Sequence, residues 1–252
     1  MIYVTGDIHG NPIRFNTENF PEQKEMTKDD YVIICGDFGL VWNRDGESKE
    51  EKHWLDWLDD KPFTTLFVDG NHSNHDRLDN YPVEEWHGGK VHKIRPSVIH
   101  LMRGQVFEIN GLKFFTFGGA SSHDIADGIL DYDDPNWKKK ARDLDNAGKY
   151  MYRIRGLSWW DREMPSKAEF DEGVNNLAKH DNKVDFIISH CAPASVVALI
   201  GHGLFEQDDL TLYFEDIRAL TEYKTWMFGH YHINRRINDK EICIYEQITR
   251  IE

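Results

Sequence analysis

Five short blocks of Gly, Asp, Asn, Ser and His occur in a fixed order, and each follows an apolar run typical of a buried strand. They are Gly6-Asp7-Ile8-His9-Gly10, Gly36-Asp37, Gly70-Asn71-His72, Ser189-His190 and Gly229-His230-Tyr231-His232. Because open α/β sheets bind ligands at the carboxyl ends of their strands, neighbouring strands would bring these side chains into one crevice. A glycine before a donor lets the chain turn sharply and lets a metal or phosphate approach the backbone.

The side chains of these blocks are the donors of a metal site. Carboxylates, an amide oxygen and imidazoles suit manganese, iron, zinc, cobalt or nickel, and the absence of thiolates argues against a structural zinc site. Asp7 and His9 are two residues apart, as are His230 and His232, so each pair projects to one side of an extended backbone. The donors exceed the need of one cation, whereas two ions about 3.5–4 Å apart that share a carboxylate would use them all.

Composition and charge limit the class of protein. With 252 residues, 40% of them hydrophobic and 13% aromatic, the chain is long and apolar enough to fold as one large domain. A formal net charge of −14 argues against a general nucleic-acid binder and against an anionic-membrane binder. It does not exclude a phosphate ester as substrate, because divalent metals would be the largest local charges. The chain begins directly with a strand and has no long apolar span, which predicts a cytoplasmic protein.

Alternation of short apolar runs with helical periodicity predicts a layered α/β fold. Strands are predicted at Ile2–Thr5, Tyr31–Cys35, Thr64–Val68, Val98–Met102, Val106–Ile109, Leu112–Phe117, Val184–Ser189, Thr225–Phe228 and Glu241–Ile248. Helices are predicted at Ser48–Leu58, Ser166–Lys179 and Asp208–Leu220. Asn110-Gly111 is a strong hairpin signal, and Ser166 with Glu169 fits a capping box.

We expect residues 1–252 to form a single domain that contains one insertion. The segment Ser121 to Met164 is rich in Asp, Lys, Arg, Tyr and Trp and shows little periodicity. It is interpreted as an irregular insertion or lid between core strands, and we expect it to set substrate preference. Within it, Arg153 and Arg155 alternate around Ile154, as at a strand edge, where either arginine could meet a substrate.

In these blocks and in their order, the chain resembles the calcineurin-like metallophosphoesterase superfamily over nearly its whole length. The resemblance implies a four-layer α/β/β/α sandwich of two mixed sheets flanked by helices, with a dinuclear metal centre. Carried over by motif, the first metal is held by Asp7, His9 and His232, the second by Asn71, His190 and His230, and Asp37 bridges the two. His72 would contact the phosphate and protonate the leaving oxygen.

General principles then describe the reaction that such a centre supports. Two cations lower the pKa of a bridging water, so that hydroxide is available to attack phosphorus in line with the leaving group. The metals neutralise the charge on the equatorial oxygens, and an imidazole is well matched to protonate the departing alkoxide. The chain is therefore predicted to be a metal-dependent phosphoesterase of a small-molecule or nucleotide ester, with monoesters and diesters both compatible.

The second block departs from one branch of the superfamily. Protein Ser/Thr phosphatases carry G-D-x-V-D-R-G, whereas Leu40 and Val41 stand here in place of an Asp that orients the third-block histidine and of a phosphate-binding Arg. This argues against a phosphoprotein phosphatase and leaves phosphate binding to the metals or to another residue. Arg44, in the same loop, and His123, which follows a predicted strand, are the candidate substrate contacts.

Two alternatives stay open. One is a nucleotide phosphodiesterase or nuclease, for which the acidic charge disfavours long polymers but not nucleotides. The other is a catalytically weak, metal-binding regulatory member of the same fold, because Leu40 leaves His72 without its usual partner. Loss of activity in Asp37→Ala with the fold retained would distinguish an enzyme from the regulatory protein. His75 is interpreted as a polar or partly exposed histidine without a role.

Overall fold

The computed structural model describes residues 1–202 and 205–252, and most of its strands belong to two mixed sheets. Strands β1 to β15 are, in chain order, Ile2–Thr5, Tyr31–Ile34, Thr64–Phe67, Val83–Trp86, Gly89–Arg95, Val98–Leu101, Gln105–Ile109, Leu112–Phe117, Gly128–Asp131, Tyr152–Arg155, Phe186–Ser189, Thr225–Phe228, Arg235–Arg236, Glu241–Cys243 and Thr249–Arg250. Helices α1 to α6 are Lys49–Asp59, His75–Leu78, Trp137–Asn146, Lys167–Lys179, Ala194–Gly201 and Asp209–Leu220. Short 3-10 helices span Pro12–Phe15, Pro21–Glu25 and Asp161–Glu163.

Parallel strands form the centre of both sheets. The first sheet has the order β15-β1-β2-β3-β6-β5-β4, in which β1, β2, β3 and β6 are parallel. The second has the order β13-β14-β12-β11-β8-β7, in which β14, β12, β11 and β8 are parallel. The five blocks follow β1, β2 and β3 in the first sheet and β11 and β12 in the second. Neighbouring parallel strands therefore carry all the predicted donors at their carboxyl ends.

Alternating side chains of the strands divide the core into three layers. Along β2, Ile33 packs between the two sheets, and Val32 and Ile34 pack on the outer face of the first sheet. Along β12, Met227 packs between the sheets, and Trp226 packs against the helices outside the second sheet. Each such side chain contributes about 1.5–3 kcal/mol when it is fully buried. The resulting order of helices, sheet, sheet and helices confirms the four-layer α/β/β/α sandwich.

The sequence predicted most of the core elements close to their observed bounds. Helices α1, α4 and α6 occupy the three predicted helical segments. The Ser166 hydroxyl accepts a bond from the backbone N–H of Glu169, and the Glu169 carboxylate accepts one from the backbone N–H of Ser166, which confirms the capping box. Asn110 and Gly111 have φ angles of +53° and +74° and join antiparallel strands β7 and β8, as the hairpin signal predicted.

One predicted strand is longer than the observed one, and one observed helix was not predicted. The last predicted strand, Glu241–Ile248, ends at Cys243, because the chain then leaves the sheet so that the Tyr245 carbonyl accepts a bond from the N–H of Gly6. Helix α5 was not predicted, because its sequence is mostly apolar and so shows no amphipathic periodicity. Among the described residues, no helix combines the length and the apolar character that a membrane crossing requires.

The segment Ser121 to Met164, expected to be irregular, contains β9, α3 and β10. Strands β9 and β10 pair with each other in parallel, and helix α3 buries only Ala141. Periodicity did not reveal these elements because they are largely exposed and place few apolar residues in the core. The segment joins β8 of the second sheet to the chain that leads into α4.

Candidate metal centre

The ends of five core strands place the predicted donors in one crevice. Asp7 follows β1, Asp37 follows β2, Asn71 follows β3, His190 follows β11 and His230 follows β12. The side chains of the two aspartates and of His190 have almost no solvent exposure. Buried carboxylates need charged or hydrogen-bonding partners, and here the partners are the other donors. Three overlapping groups of ligand atoms within the crevice are compact enough to hold metal ions. They are Asp7, His9 and His232; Asp37, His190 and His230; and His9, Asp37 and His72.

The first group consists of Asp7, His9 and His232. Nε2 of His232 lies 3.2 Å from Oδ2 of Asp7 and 2.9 Å from Nε2 of His9. Nε2 of His9 lies 3.8 Å from the same carboxylate oxygen. Separations of about 3 Å are those of adjacent ligands around an ion with bonds of roughly 2.0–2.2 Å. The three side chains therefore fit a single transition-metal ion.

The second group contains Asp37, His190 and His230, with Asn71 beside it. Nε2 of His190 lies 3.3 Å from Oδ1 of Asp37 and 3.2 Å from Oδ1 of Asn71. The other oxygen of Asp37, Oδ2, lies 4.0 Å from Nδ1 of His9, in the first group. Asp37 also belongs to the third group, with His9 and His72, and therefore adjoins both groups, as expected for a bridging carboxylate.

Glycines in these blocks make room for the donors of neighbouring blocks. A Cβ atom at Gly36 would lie 2.1 Å from Nδ1 of His190, and one at Gly70 would lie 2.2 Å from Oδ1 of Asp37. Both distances are far shorter than any van der Waals contact. The sequence suggested that such glycines admit a metal or phosphate to the backbone. In the structure, the space left by the missing Cβ atoms of these two glycines is instead occupied by the side chains of His190 and Asp37.

Four donors have left-handed backbone conformations. The φ angles are +46° at His9, +41° at Asp37, +68° at His230 and +51° at His232. A non-glycine residue in this region costs of order 1–3 kcal/mol, and such conformations persist where the surrounding structure imposes them. This local strain turns the side chains inward at the ends of β1, β2 and β12. The pattern of residue types gave no sign of it.

Burial and neighbouring charges shift the pKa values of the crevice residues in opposite directions. Burial alone would lower the pKa of His190, but Asp37 and Asp7 raise it to about 9. Burial would raise the pKa of Asp37, yet His190 holds it well below its ordinary value. At His9 and His230, burial lowers the pKa, which favours the neutral imidazole that binds metals. A divalent ion would replace the proton of His190 as the partner of the carboxylates.

His72 lies at the edge of the centre. Its backbone N–H donates to Oδ1 of Asp37 at 2.8 Å, and its ring stacks on Trp42 with centroids 5.5 Å apart. Nε2 of His72 lies 3.4 Å from Nη2 of Arg153. Burial and the nearby guanidinium lower the pKa of His72. The ring is thus fixed in position although Leu40 replaces the aspartate of the phosphoprotein phosphatases.

The two predicted substrate contacts lie in different surroundings. Nε2 of His123 is 3.1 Å from Nε2 of His230, so His123 reaches the metal centre. Arg44 instead donates to the carbonyl of Gly156 and to Oδ1 of Asp133, both at 3.1 Å. Its guanidinium is therefore engaged by the segment Ser121 to Met164 and not by the donor groups.

The sequence did not reveal the polar side chains that support Asn71. Nδ2 of Asn71 lies 3.4 Å from Oγ of Ser122, which donates to Oε1 of Glu163 at 3.0 Å. The backbone N–H of Ser122 donates to the other oxygen of Glu163 at 3.1 Å. Burial raises the pKa of Glu163 to about 8. No sequence signal could have indicated this pairing, since Ser122 and Glu163 are 41 residues apart.

A buried ionic cluster lies directly before the third block. Asp69 accepts bonds from Nε and Nη2 of Arg103, and Nε2 of His75 lies 3.1 Å from its Oδ2. The interpretation of His75 as a partly exposed histidine was wrong, because the side chain is buried against this carboxylate. The cluster anchors the loop that carries Asn71.

Comparison with known proteins gives two results. The family model for the calcineurin-like phosphoesterases matches residues 1–234. Lariat debranching enzyme A of Xenopus laevis is 27% identical over 209 residues, which cover 77% of this chain and 33% of the relative. Lariat debranching enzyme of Schizosaccharomyces pombe is 26% identical over 231 residues, which cover 82% of this chain and 44% of the relative. The chain thus spans less than half the length of these curated relatives.

Proposed function

The chain belongs to the calcineurin-like phosphoesterase family, and we propose that it hydrolyses a phosphate diester at the crevice between its two sheets. It is a metal-dependent phosphoesterase, and its donors suit a pair of divalent ions. The observation that carries the assignment of the site is that Asp37 belongs to two of the three compact groups of ligand atoms, with one oxygen near His190 and the other facing His9. A carboxylate shared by two ions would hold them close together, as two-metal hydrolysis requires.

The choice of a diester rests on the two relatives. Both are named as lariat debranching enzymes, a name that describes the opening of a branch. If this chain catalysed a reaction of that kind, it would break a phosphate ester that joins two larger groups and would not remove a terminal phosphate. The net charge of −14 favours a short substrate, such as a nucleotide diester, over a long polyanion.

Side chains of both sheets would hold the ions. We assign Asp7, His9 and His232 to one ion, Asn71, His190 and His230 to the other, and Asp37 to both. Manganese is the first metal to test, because it accepts this mixture of oxygen and nitrogen donors. When bound, the ions neutralise charge on the phosphate oxygens and lower the pKa of water.

His72 is positioned to transfer a proton. Its backbone bond to Asp37 and its stacking on Trp42 fix the ring beside the centre. The pKa of the imidazole is lowered before substrate binds, because of burial and the charge of Arg153. A bound phosphate would oppose that effect, since an anion favours the imidazolium form. We infer that His72 holds the proton for the leaving oxygen only in the substrate complex.

The experiment that tests this function is hydrolysis of bis-para-nitrophenyl phosphate and para-nitrophenyl phosphate by metal-stripped protein. Manganese, nickel, cobalt or zinc is then added back separately. We expect metal-dependent release, faster from the diester, and loss of release in Asp37→Ala. Asp216→Ala, at an exposed position of α6, is the matched control and keeps full activity. Preference for the monoester would contradict the diester assignment.

A regulatory protein of the same fold would give a different result. It would bind about two ions per chain, as the donor groups require, but would release no product from either ester with any metal. Failure to bind metal would contradict the proposed site itself. The presence of a donor in every block and of Arg153 beside His72 favours the enzyme.

A further inference from the structure

A guanidinium from the segment Ser121 to Met164 lies at the edge of the metal centre. Arg153 is on β10, and its side chain is only 17% exposed. Its Nη2 atom is 3.4 Å from Nε2 of His72, the residue assigned to proton transfer. The two residues are 81 positions apart in the chain, so this contact depends on how the segment folds over the sheet ends.

The orientation of the guanidinium is fixed by a carboxylate. Nε of Arg153 donates to both oxygens of Asp124 at 2.9 and 2.8 Å, and Nη2 approaches Oδ2 of Asp124 at 2.6 Å. Nη1 lies 3.4 Å from the carbonyl of Ser158. A guanidinium has five N–H donors in a rigid plane. Holding one edge of that plane on Asp124 directs Nη2 toward His72 and leaves a donor available there.

Nearby side chains of the second-block loop do not supply this charge. Leu40 and Val41 are buried in the core under the first sheet. Arg44 is engaged by Gly156 and Asp133. The phosphate-binding arginine that this loop carries in the protein Ser/Thr phosphatases is therefore absent from the loop. Arg153 brings a cation to His72 from a different part of the chain.

The same segment contributes a second group to the centre. His123 precedes Asp124, and its Nε2 lies 3.1 Å from Nε2 of His230. One short stretch, residues 123 and 124, thus touches the second donor group and also orients Arg153. Arg153 approaches His72, and His123 approaches His230, in the same crevice. Arg153 and His123 can contact an anion held there without replacing any assigned metal ligand.

We propose that Arg153, with His72 and His123, forms an anion subsite that binds a non-bridging oxygen of the phosphate ester, and that Asp124 positions the arginine. The inference rests on the proposed function, because it places the phosphate at the same centre. A planar guanidinium binds phosphate oxygens with strong, directional hydrogen bonds, which a lysine ammonium does not reproduce. The ligand class is therefore a phosphate ester with an unprotonated oxygen, and inorganic phosphate is its simplest probe.

The test uses the manganese-loaded full chain and three measurements. These are metal content per chain, affinity for inorganic phosphate by calorimetry, and kcat and KM for bis-para-nitrophenyl phosphate. We expect Arg153→Met to keep its metal but to lose about 10- to 100-fold in phosphate affinity, as for a lost charged hydrogen bond. Arg153→Lys should recover only part of that loss.

The matched control is Arg155→Met. Arg155 lies two positions along the same strand, is half exposed and pairs with Asp161 at 3.2 Å. This variant removes the same charge from the whole protein, so it controls for the change in net charge. We expect its phosphate affinity, metal content and KM to match those of the unmodified chain.

Asp124 acts through Arg153 and has its own readout. Asp124→Asn keeps an oxygen that can accept from Nε, whereas Asp124→Ala keeps none. We expect phosphate affinity to fall less in Asp124→Asn than in Asp124→Ala, with metal content unchanged in both. Equal losses in the two variants would overturn the positioning role.

The outcomes distinguish this inference from the proposed function. Unchanged phosphate affinity in Arg153→Met, or phosphate binding that is absent from the unmodified chain, would overturn the subsite. Loss of metal in both Arg153→Met and Arg153→Lys would also overturn it, by showing a structural role. If the unmodified chain cleaves no ester but binds phosphate through Arg153, the subsite stands and the proposed hydrolysis fails.

Discussion

Asp37 and His190 come from different sheets and meet across the crevice, with Oδ1 of the aspartate 3.3 Å from Nε2 of the histidine. Asp37 follows β2 and His190 follows β11. Nδ1 of His190 lies 2.9 Å from the backbone carbonyl of Cys35, also at the end of β2. The centre is therefore complete only when the two sheets are packed together. Packing of the two sheets against each other therefore also assembles the site.

This pairing predicts that metal binding releases protons. The pKa of His190, lowered by burial but raised more by Asp37 and Asp7, is about 9, against an ordinary value of 6.5. Below the raised pKa, the imidazole must lose its proton before it can bind an ion. Metal affinity should therefore rise with pH, up to about tenfold per pH unit for one proton, and level off above the raised pKa. Manganese titrations in buffers of different ionisation enthalpy, between pH 6.5 and 9, measure the number of protons released. An affinity independent of pH across that range would contradict the prediction.

Glu163 predicts a second pH effect, on stability. Burial raises its pKa from 4.5 to about 8, so between these values the folded chain keeps a proton that the unfolded chain has lost. The contribution of Glu163 to the free energy of unfolding should fall as pH rises through that window, by at most about 1.4 kcal/mol per pH unit. Glu163→Gln cannot ionise, so its stability relative to the unmodified chain should increase from pH 5 to pH 8 and stay level above pH 8. Urea denaturation in chelator at several pH values checks this, and a constant difference between the two proteins would refute it.

The order of strands and helices along the chain could be predicted, because the sequence signals for them are local. Strands such as Tyr31–Ile34 are short apolar runs that end at Gly and Asp, and helix α4 begins at a capping box. The blocks at strand ends then implied a shared crevice, because parallel strands present their carboxyl ends together. The donor residues lie there in the structure, although the assignment of each one to an ion remains a prediction.

Features that depend on distant contacts could not be predicted. Glu163 reaches Ser122 over 41 residues, and Arg153 reaches His72 over 81. Nothing in the local sequence distinguishes Arg153 from Arg155, although one lies at the centre and the other pairs with Asp161 on the surface. Arg44 looked suitable because it is close in sequence to Asp37, but its contacts are with the segment Ser121 to Met164. Closeness in sequence within a loop is a poor guide to the direction of a long side chain.

The segment Ser121 to Met164 has parts with different expected roles. Helix α3 buries only Ala141, whereas β9 pairs with β10, the strand that presents Arg153. Replacing residues 135–148 with a short Gly-Ser linker should therefore leave metal content and stability nearly unchanged. We expect altered preference among diesters with leaving groups of different size, measured as ratios of kcat/KM. An unchanged ratio across the panel would show that α3 takes no part in substrate selection.

The close packing of Gly36 against His190 gives a further prediction. Gly36 has a φ angle of +94°, and a Cβ there would lie 2.1 Å from Nδ1 of His190. Gly46 has a φ angle of +107° with no atom within 4 Å of the same position, so it is a matched control. Alanine at either site costs about 1–2 kcal/mol of backbone strain, because both conformations are left-handed. Only Gly36→Ala should also displace His190, and we expect it to lose metal binding and hydrolysis, while Gly46→Ala keeps both. Equal metal content in the two variants, measured on folded protein, would mean that the position of His190 is less important for the centre than its contacts indicate.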